Sequence, residues 1–278
     1  MSNQTSDSGH SNNPPQLGGP WLLASLGLPL LALLTVPLFT LLGRISFQTF
    51  LHYLADRNTL RAIWLSCYTS VIATALVVLT GTPLALLLAR RRSLFARAVE
   101  IFVDLPTVFP PAIAGIALLL VFSRMGLIGN WFEWLGIDIA FTPTAVVLAQ
   151  MFVAAPFYVK TAAVGFASVN SEVREAASVH GATGLRTLMR VIVPLSWRAI
   201  LSGAVLCWAR AIGEFGATII FAGNLPGKTQ TMTLAVYIGF ETDLDQALTL
   251  SAILLATSFT VLVVMRVAMS GRFWIVQN

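Results

Sequence analysis

Six long apolar stretches, separated by short charged segments, run along this 278-residue chain. They extend from Trp21 to Leu42, Ser66 to Ala89, Ile101 to Phe122, Thr142 to Val164, Ile200 to Phe221 and Ala247 to Met265. A helix that crosses the hydrocarbon core needs about 20 apolar residues, because each residue rises about 1.5 Å and every backbone hydrogen bond must be made internally. We therefore predict an all-α integral membrane protein with about six transmembrane helices.

Charged residues make up only 10% of the chain, whereas a typical soluble domain carries charge on about 25% of its residues. Lys and Arg number 17 and Asp and Glu 12, and these charges stand between the apolar stretches. That placement is typical of membrane topology, so we expect a lipid bilayer and no nucleic acid as a partner. The first residues are rich in Ser, Asn, Gly and Pro, which predicts a disordered polar tail over 1–20 before a transmembrane domain over 21–278.

Basic residues predict the orientation, because cytoplasmic loops of membrane proteins carry an excess of Lys and Arg. If the tail is cytoplasmic, eleven basic residues fall on inside segments and five on outside segments. The inside set is Arg90, Arg91, Arg92, Arg97, Lys160, Arg174, Arg186, Arg190, Arg198, Arg266 and Arg272, and the outside set is Arg44, Arg57, Arg61, Arg124 and Lys228. The opposite orientation inverts that ratio, so we predict that the N- and C-termini are both cytoplasmic.

The third apolar stretch contains Pro106, Pro110 and Pro111 ahead of Gly115. Proline removes a backbone donor and breaks or kinks a helix, so we expect the first half of this stretch to be interrupted. Irregular backbone at membrane depth is tolerated only where it is buried in protein or faces a wet cavity. Two interpretations stay open, a kinked packing helix and a segment that lines a transport pathway.

The cysteines and histidines are dispersed along the chain. Cys67 and Cys207 lie within apolar stretches, and the three histidines are His10, His52 and His180. Their spacing matches neither a disulfide framework nor a metal site. We therefore predict no bound metal and no cofactor.

The segment over residues 167–198, from Ala167 to Arg198, is too polar to enter lipid and too rich in helix-forming residues to be a simple connector. Its first helix is predicted to begin at Ser171, a capping residue, and to end at a glycine, Gly181. The small residues Ala176 and Ala177 on that helix permit close approach of another protein's backbone. Two interpretations stay open, a docking helix for a partner and a helix that lies on the membrane without one.

Within this segment, Glu175-Ala176-Ala177, Gly181 and Val191-Ile-Val-Pro194 have the spacing of the EAA motif, and the chain resembles the permeases of bacterial and archaeal ABC importers. Val191 and Val193 stand where Ile and Leu are usual in that family. The resemblance covers residues 65–267 and implies the ABC-importer permease fold in a bacterial or archaeal inner membrane. It also implies that the motif forms a coupling helix, which sits in a cleft of a separate ATPase subunit.

Two further stretches are similar to stretches of the molybdate permeases. They are Asp104–Gly115 and Arg210–Thr218, the second continuing from Phe221 to Thr229. Sulfate and thiosulfate permeases are close relatives with similar stretches, so the resemblance implies import of an oxyanion, with molybdate or tungstate ahead of sulfate or thiosulfate. The implied partners are a second copy of this chain in a homodimer, two ABC ATPase subunits on the cytoplasmic side and an extracytoplasmic solute-binding protein.

The stretch Gly223-Asn-Leu-Pro-Gly-Lys-Thr229 looks superficially like a phosphate-binding loop. That loop has four residues between its first Gly and the Gly-Lys pair and follows a strand, whereas this stretch has three and follows an apolar segment. ATP hydrolysis is therefore expected from a partner subunit, and we predict that this chain is not an enzyme.

Arg210 and Glu214 lie four residues apart in the fifth apolar stretch, where an unpaired charge costs about 2.5–3.5 kcal/mol. Two interpretations stay open. One is an ion pair that fixes helix packing, and the other is a pathway role in which Arg210 attracts an anion and Glu214 keeps it from being held too tightly. A set of nearby polar residues forms further pathway candidates by position alone, although a solvated external loop explains most of them equally well: Thr218, Asn224, Thr229 and Thr231.

Two other functional classes are weighed against an ABC permease. An ion-coupled secondary transporter needs carboxylates within its spans, and Glu214 is the only acidic residue that the sequence puts deep in one. A membrane-bound enzyme needs a clustered nucleophile, metal ligands or paired carboxylates, and the sequence offers no such cluster.

Overall fold

A computed structural model describes residues 20–89, 93–170, 172–173, 176, 179 and 184–270 of the chain. For residues 20–24, 185 and 268–270 it describes the backbone alone. Every regular element in these ranges is a helix, which confirms the predicted all-α fold. The chain divides into a first unit up to Ile45 and a second unit from Ser46. Most of the predicted polar tail, residues 1–19, lies outside the described residues.

The first unit contains one helix, α1, over Pro20–Gly43. It matches the first predicted apolar stretch and carries Pro29 and Pro37 within its length. The hydroxyls of Thr35 and Thr40 each donate to the carbonyl four residues earlier, at 2.9 and 2.8 Å. These bonds satisfy both hydroxyls inside the helix, as an apolar surrounding requires.

The second unit contains ten labelled helices. They are α2 (Phe47–Leu54), α3 (Arg57–Ala89), α4 (Leu94–Val108), α5 (Pro111–Phe122), α6 (Gly129–Trp134), α7 (Pro143–Ala167), α8 (Trp197–Ile212), α9 (Gly216–Phe221), α10 (Met232–Thr242) and α11 (Leu244–Ser270). Between α7 and α8, three short segments have both ends among the described residues, namely Gly184–Thr187, the π-helical Leu188–Ile192 and Val193–Leu195.

Four helices in the described part of the chain are long and apolar enough to cross a membrane, namely α1, α3, α7 and α11. Two bent pairs bring the number of candidate spans there to as many as six. In the first pair, the chain bends by 115° between α4 and α5. In the second pair, it bends by 67° between Leu188–Leu195 and α8. The predicted number of about six spans agrees with this arrangement if each bent pair is one span.

The main core lies where α7 packs against α3 and α8. Its buried side chains include Val77, Tyr158, Phe166 and Cys207. The Tyr158 hydroxyl lies 2.6 Å from the hydroxyl of Thr82 on α3, so its polar end is hydrogen-bonded inside the core. The three helices therefore form a central scaffold, against which other helices of the second unit pack.

Two smaller cores complete the second unit. One joins α5, α7 and α9 around Ala114, Ala149 and Phe221. The other joins α3, α8, α10 and α11 around Ile212 and Leu250. The short helices α9 and α10 each contribute to one of these cores, which gives them tertiary support that their length alone does not provide.

The predicted interruption of the third stretch is confirmed. Helix α4 ends at Val108, and Pro110 and Pro111 lie at the junction where α5 begins. Helix α4 starts seven residues before the predicted Ile101, because the Ser93 hydroxyl oxygen accepts from the Ala96 amide and caps it.

The predicted start of the second stretch and the loop positions of three basic residues were also wrong. Helix α3 begins nine residues before the predicted Ser66, because the Asp56 carboxylate accepts from the Thr59 amide at 2.8 Å and starts the helix there. Arg57 and Arg61 are therefore helical residues and not loop residues. Lys160, assigned to an inside segment, lies within α7.

The fifth predicted stretch, Ile200 to Phe221, is two helices and not one. Helix α8 ends at Ile212, and α9 begins at Gly216 after the three residues Gly213, Glu214 and Phe215. The region predicted as a solvated external loop also contains a helix, α10, whose residues Met232 and Leu234 are fully buried.

Candidate functional site

The interruption between α8 and α9, which we call the 213–215 break, brings a buried carboxylate and an arginine together. The Glu214 Oε2 atom lies 2.6 Å from the Arg210 Nη1 atom, and Glu214 Oε1 accepts from the Ala217 amide at 2.9 Å. Glu214 is 1% exposed, and the Arg210 side chain is 28% exposed. The carboxylate thus pairs with the charge of Arg210 in the last turn of α8 and also caps the first turn of α9.

This geometry corrects part of the sequence interpretation. Arg210 and Glu214 form the predicted ion pair, but they do not share one helix, because Glu214 belongs to the break. The chain can leave the helix at this depth because the Glu214 side chain accepts the Ala217 amide proton that a helix start would otherwise leave without an acceptor.

The start of α10 is tied to the 213–215 break and to α3. The Thr233 hydroxyl donates to the Glu214 carbonyl at 2.8 Å and lies 3.0 Å from the hydroxyl of Thr231. The Met232 amide donates to the Ser66 hydroxyl oxygen at 2.7 Å. Hydroxyls from α3 and from the start of α10 therefore lie close to the 213–215 break, and the predicted candidate Thr231 belongs to this group.

The other predicted pathway residues have different surroundings. Thr229 is fully buried, and its hydroxyl oxygen accepts from the Leu225 amide at 3.0 Å, which stabilises the turn before α10. The Thr218 Oγ1 and Asn224 Oδ1 atoms are buried without a hydrogen-bond partner among the described residues. A solvated external loop does not account for Thr218, Thr229 and Thr231, since all three are buried.

A groove between α10 and α11 adjoins this polar group and was not predicted from the sequence. It has a volume of about 620 Å³ and includes Phe215 of the break and Thr233 of α10 in its wall. Helix α11 contributes Ser251, Leu254 and Ser258, whose spacing of three and four residues puts them on one helix face. The three- and four-residue spacing of these side chains is a sequence signal for a shared helix face. It does not predict a groove, because the whole stretch is apolar and other residues in it have the same spacing.

The predicted coupling segment is anchored at one carbonyl group. Ser168, just after α7, donates from its hydroxyl to the Gly165 carbonyl at 2.8 Å. Ser196, just before α8, donates from its hydroxyl to the same carbonyl at 3.1 Å. The Ser196 bond therefore joins the end of the segment, just before α8, to the last turn of α7.

Only part of the predicted coupling motif belongs to the described residues. Ala176 is exposed, and Pro194 lies in the short helix Val193–Leu195. The motif residues Glu175, Ala177 and Gly181 lie outside the described residues, as does the predicted cap residue Ser171. The residue before that cap, Asn170, accepts from the Glu172 amide at 3.2 Å through its side-chain oxygen.

A second ion pair joins α4 to α7. The Lys160 Nζ atom lies 2.8 Å from the Asp104 Oδ1 atom, and both side chains are partly exposed. Asp104 opens the first of the two stretches that resemble molybdate permeases, and the sequence interpretation assigned it no contact. The pair links the helix before the proline break to the central scaffold.

Groups that hold a metal ion usually combine several His, Cys, Asp or Glu side chains. Among the described residues, no three of these side chains come together in such a group. The polar features of the described site are thus ion pairs and hydroxyls.

The chain is similar in sequence to several transport proteins. It is 38% identical over 252 residues to the probable transport system permease protein NifC of Clostridium pasteurianum, covering 89% of this chain and 88% of that protein. It is 39% identical over 223 residues to the molybdenum transport system permease protein ModB of Mycobacterium bovis, covering 80% of this chain and 84% of that protein. It is 36% identical over 226 residues to the sulfate transport system permease protein CysW of Synechococcus elongatus, covering 80% and 78%.

Solved structures share the fold. A bacterial ABC transporter involved in the import of the acidic polysaccharide alginate contains a chain with a TM-score of 0.67 at 19% identity, covering 91% of this chain and 96% of that chain. A bacterial alginate ABC transporter in complex with a periplasmic protein that holds an alginate pentasaccharide gives a TM-score of 0.63 at 19% identity, covering 88% and 92%.

The family model for binding-protein-dependent transport system inner membrane components matches residues 81–273, which is more than half of the chain. The match includes α5, α7 and α8, the 213–215 break and the predicted coupling segment. The chain therefore belongs to this family of inner membrane components, and it is the permease component of an ABC importer.

Proposed function

We propose that this permease carries molybdate, or its close analogue tungstate, across the membrane. The observation that carries the proposal is the 39% identity to a molybdenum permease over 80% of this chain. The stretches at Asp104–Gly115 and Arg210–Thr229, which resemble molybdate permeases, support the same substrate. Sulfate is the second candidate, because a sulfate permease is 36% identical to the chain over a similar length.

The substrate is tested on the solute-binding protein encoded beside this chain, because selection in such a system rests mainly on that protein. Calorimetric titration with molybdate, tungstate and sulfate gives three affinities under one condition. We expect molybdate and tungstate to bind at least about 100-fold more tightly than sulfate, a difference of about 2.7 kcal/mol. Preferential binding of sulfate would replace molybdate by the second candidate.

The proposed working assembly contains two copies of this chain, two ABC ATPase subunits and a solute-binding protein. Dependence on a binding protein is a property of the family, and one of the structural neighbours is described in complex with a periplasmic protein. The groove between α10 and α11 supports a homodimer, because its aromatic wall residues Tyr237 and Phe240 are exposed in the single chain.

The proposed docking element for the ATPase is the helix that contains Glu175, Ala176, Ala177 and Gly181, within the coupling segment over 167–198 that ends near Pro194. Val179 on this segment is 85% exposed, and Ala176 is exposed as well. An uncovered small-residue surface is what a partner's cleft requires. The shared bonds at Gly165 support transmission of ATPase closure to α7 and α8.

Pull-down of the ATPase tests the docking element. We expect Glu175→Arg and Gly181→Arg to reduce ATPase retention at least about tenfold, equivalent to about 1.4 kcal/mol. Glu172→Arg is the matched control, because Glu172 is an exposed acidic residue of the same segment outside the motif. Full retention of the ATPase by both motif variants, with continued import, would overturn the coupling role.

The proposed mechanism is a rigid-body alternation between inward-facing and outward-facing arrangements, driven by ATP hydrolysis in the partner. A short coupling helix can bias two packings of the spans, and no chemical step by this chain is needed. The proposed pathway residues are those near the 213–215 break, namely Arg210, Glu214, Thr218, Asn224, Thr229 and Thr231. Their hydroxyls and charges supply donors that replace water around an oxyanion without binding it tightly.

The family places the chain in the inner membrane as a multi-pass protein. Within that location we propose a bacterial or archaeal cell, cytoplasmic termini, a polar tail over 1–20, a transmembrane domain over 21–278 and no catalytic activity of the chain itself. An ion-coupled mechanism is disfavoured because Glu214 and Asp104 are both ion-paired, whereas a coupling carboxylate must exchange its proton or ion.

A further inference from the structure

The connection between α5 and α7, residues 123–142, exposes two tryptophans on the short helix α6. Trp131 is 74% exposed and Trp134 is 86% exposed, and the neighbouring Leu135 is 62% exposed. We call these three residues the tryptophan face. An exposed cluster of large apolar side chains marks a surface that contacts either lipid or another protein.

The tryptophan face is held in a defined position. Arg124 and Asp138, near the two ends of the connection, form a two-pronged ion pair in which Nε and Nη2 donate to the two carboxylate oxygens at 2.7 and 2.6 Å. The hydrogen bonds from Arg124 lower the pKa of Asp138, so its carboxylate is ionised at neutral pH. Backbone bonds from Leu127 to Leu120 and from Ile128 to Val121 fasten the connection to the last turn of α5.

Helix α6 has three distinct sides. Phe132 packs into the core formed by α5, α7 and α9, and Gly129 is buried. At 3.6 residues per turn, Glu133 projects about 160° away from Trp131, and Asn130 and Glu133 are exposed. The helix therefore has a packed side, an apolar exposed side and a polar exposed side, as expected of a helix at a boundary between lipid and water.

The tryptophan face also adjoins the exposed surface of a membrane helix. Leu120 of α5 is 68% exposed, and its carbonyl accepts from the amide of Leu127, which is itself 85% exposed. The apolar surface thus continues from α5 through Leu127 to α6. Helix α7 is long and apolar enough to cross a membrane, α5 belongs to a bent pair that is a candidate span, and the connection joins the ends of these two helices.

We propose that Trp131 and Trp134 anchor the α5–α7 connection in the headgroup region of the bilayer. Tryptophan prefers this region, because its ring is apolar and its indole N–H finds polar partners there. The anchor fixes the depth of the α5–α7 connection, and through α5 the depth of the proline-containing junction with α4. The inference requires membrane insertion but does not depend on which oxyanion is carried.

The test uses the full chain in phosphatidylcholine vesicles with lipids brominated close to the headgroup or close to the end of the acyl chain. Subtracting the fluorescence of the Trp131→Phe/Trp134→Phe variant from that of the unmodified chain isolates the two tryptophans. We expect a roughly twofold loss of this difference signal with shallow bromines and a smaller loss with deep bromines, because Trp prefers the headgroup level. Equal quenching at both depths, or none, would contradict the anchor.

A protein partner gives a different pattern. If the face instead docks the solute-binding protein, water-soluble iodide quenches the difference signal, brominated lipid does not, and adding the binding protein removes the iodide effect. That result would overturn the lipid assignment. A second measurement does not rely on the double variant: Trp131→Cys should react with a membrane-impermeant thiol reagent at least several-fold more slowly than Glu133→Cys, because the two positions lie about 160° apart on α6. Equal rates would also contradict the anchor.

Discussion

Glu214 makes both interactions that a buried carboxylate needs, one with Arg210 and one with the Ala217 amide. The sequence left two roles open for this pair, one in helix packing and one in the transport pathway. A variant without the two charges can distinguish these roles if it keeps the cap on the Ala217 amide. The double variant Arg210→Gln/Glu214→Gln keeps an oxygen that accepts from Ala217. A structural role predicts normal folding and transport for it, whereas a pathway role predicts normal folding with reduced transport.

We expect the pathway role. The double variant should assemble at normal levels and import at a rate roughly tenfold lower, a loss that corresponds to about 1.4 kcal/mol. Glu214→Ala is the comparison for folding, because it leaves the Ala217 amide without its acceptor and should lower the free energy of unfolding by about 3 kcal/mol or more. Thermal unfolding in detergent and uptake in vesicles measure the two effects. Import by the double variant at the full rate would remove Arg210 and Glu214 from the pathway.

Gly115 permits close contact between α5 and α9. A Cβ atom added there would lie 2.7 Å from the Ala217 carbonyl oxygen and 2.8 Å from the Ile220 Cβ atom. The first neighbour is backbone and cannot move aside, so Gly115→Ala should lower the free energy of unfolding by about 1–3 kcal/mol. Gly213→Ala is the matched control, because its nearest neighbour would be 3.5 Å away. Equal melting temperatures for the two variants would contradict this packing.

At the level of elements, Asp104 and Lys160 connect the helix before the proline break to the central scaffold. Each single charge reversal, Asp104→Lys or Lys160→Asp, should destabilise the chain, and the double reversal should restore part of the loss. Because both side chains are partly exposed, we expect a coupling energy of about 1 kcal/mol from the double-mutant cycle. Additive effects of the two reversals would show that the pair does not hold α4 in place.

A second link between elements depends on pH. The Tyr53 hydroxyl of α2 donates to Asp243, just before α11, at 2.6 Å. This bond lowers the pKa of Asp243 and raises the pKa of Tyr53 to about 12. The stabilisation from Asp243 is thus present above the unfolded pKa of Asp, about 3.9, and is lost as pH falls through the lower folded pKa. The stabilisation from Tyr53 is lost at the other limit, as pH rises through its folded pKa of about 12.

Tyr53→Phe should therefore lower the melting temperature at pH 7, and the difference from the unmodified chain should shrink when the pH is taken well below 4. Tyr158→Phe is the control, because Tyr158 bonds the neutral Thr82 hydroxyl and its effect should not change over this range. Melting curves at the two pH values check both variants. A Tyr53→Phe effect that is unchanged at low pH would mean that the Asp243 contact is not the source of stability.

The elements that could be predicted from the sequence are those defined by local signals. Long apolar stretches predicted α1, α3, α7 and α11, and Pro110 and Pro111 predicted the junction between α4 and α5. The start of α3 depends on the Asp56 cap, whereas the apolar stretch that predicted this helix begins only after Arg57 and Arg61.

The 213–215 break and α10 could not be predicted in this way, because they depend on contacts between distant residues. Glu214 caps α9 only because its carboxylate is buried beside Arg210. Helix α10 begins where the Ser66 hydroxyl oxygen accepts from the Met232 amide, a contact between residues far apart in sequence. The coupling motif was identified by its residue spacing, and its docking role remains a prediction for the pull-down described above.

At the level of the whole molecule, the chain is one component of a binding-protein-dependent transport system. Near the 213–215 break, the polar features of the described residues are an ion pair and hydroxyls, which we propose line the pathway of the anion. A permease of this kind takes its driving force from ATP hydrolysis in a partner, which acts through rigid-body changes. Net accumulation of substrate should therefore depend on ATP and on every partner subunit.

Uptake of labelled molybdate into sealed proteoliposomes tests this central claim most directly. The vesicles contain this chain with its ATPase, ATP is supplied on the ATPase side, and the loaded solute-binding protein is added on the opposite side. The account predicts uptake that stops when ATP, the ATPase or the binding protein is omitted, and that persists when an ionophore abolishes the proton gradient. Uptake that continues without ATP and collapses with the proton gradient would contradict it.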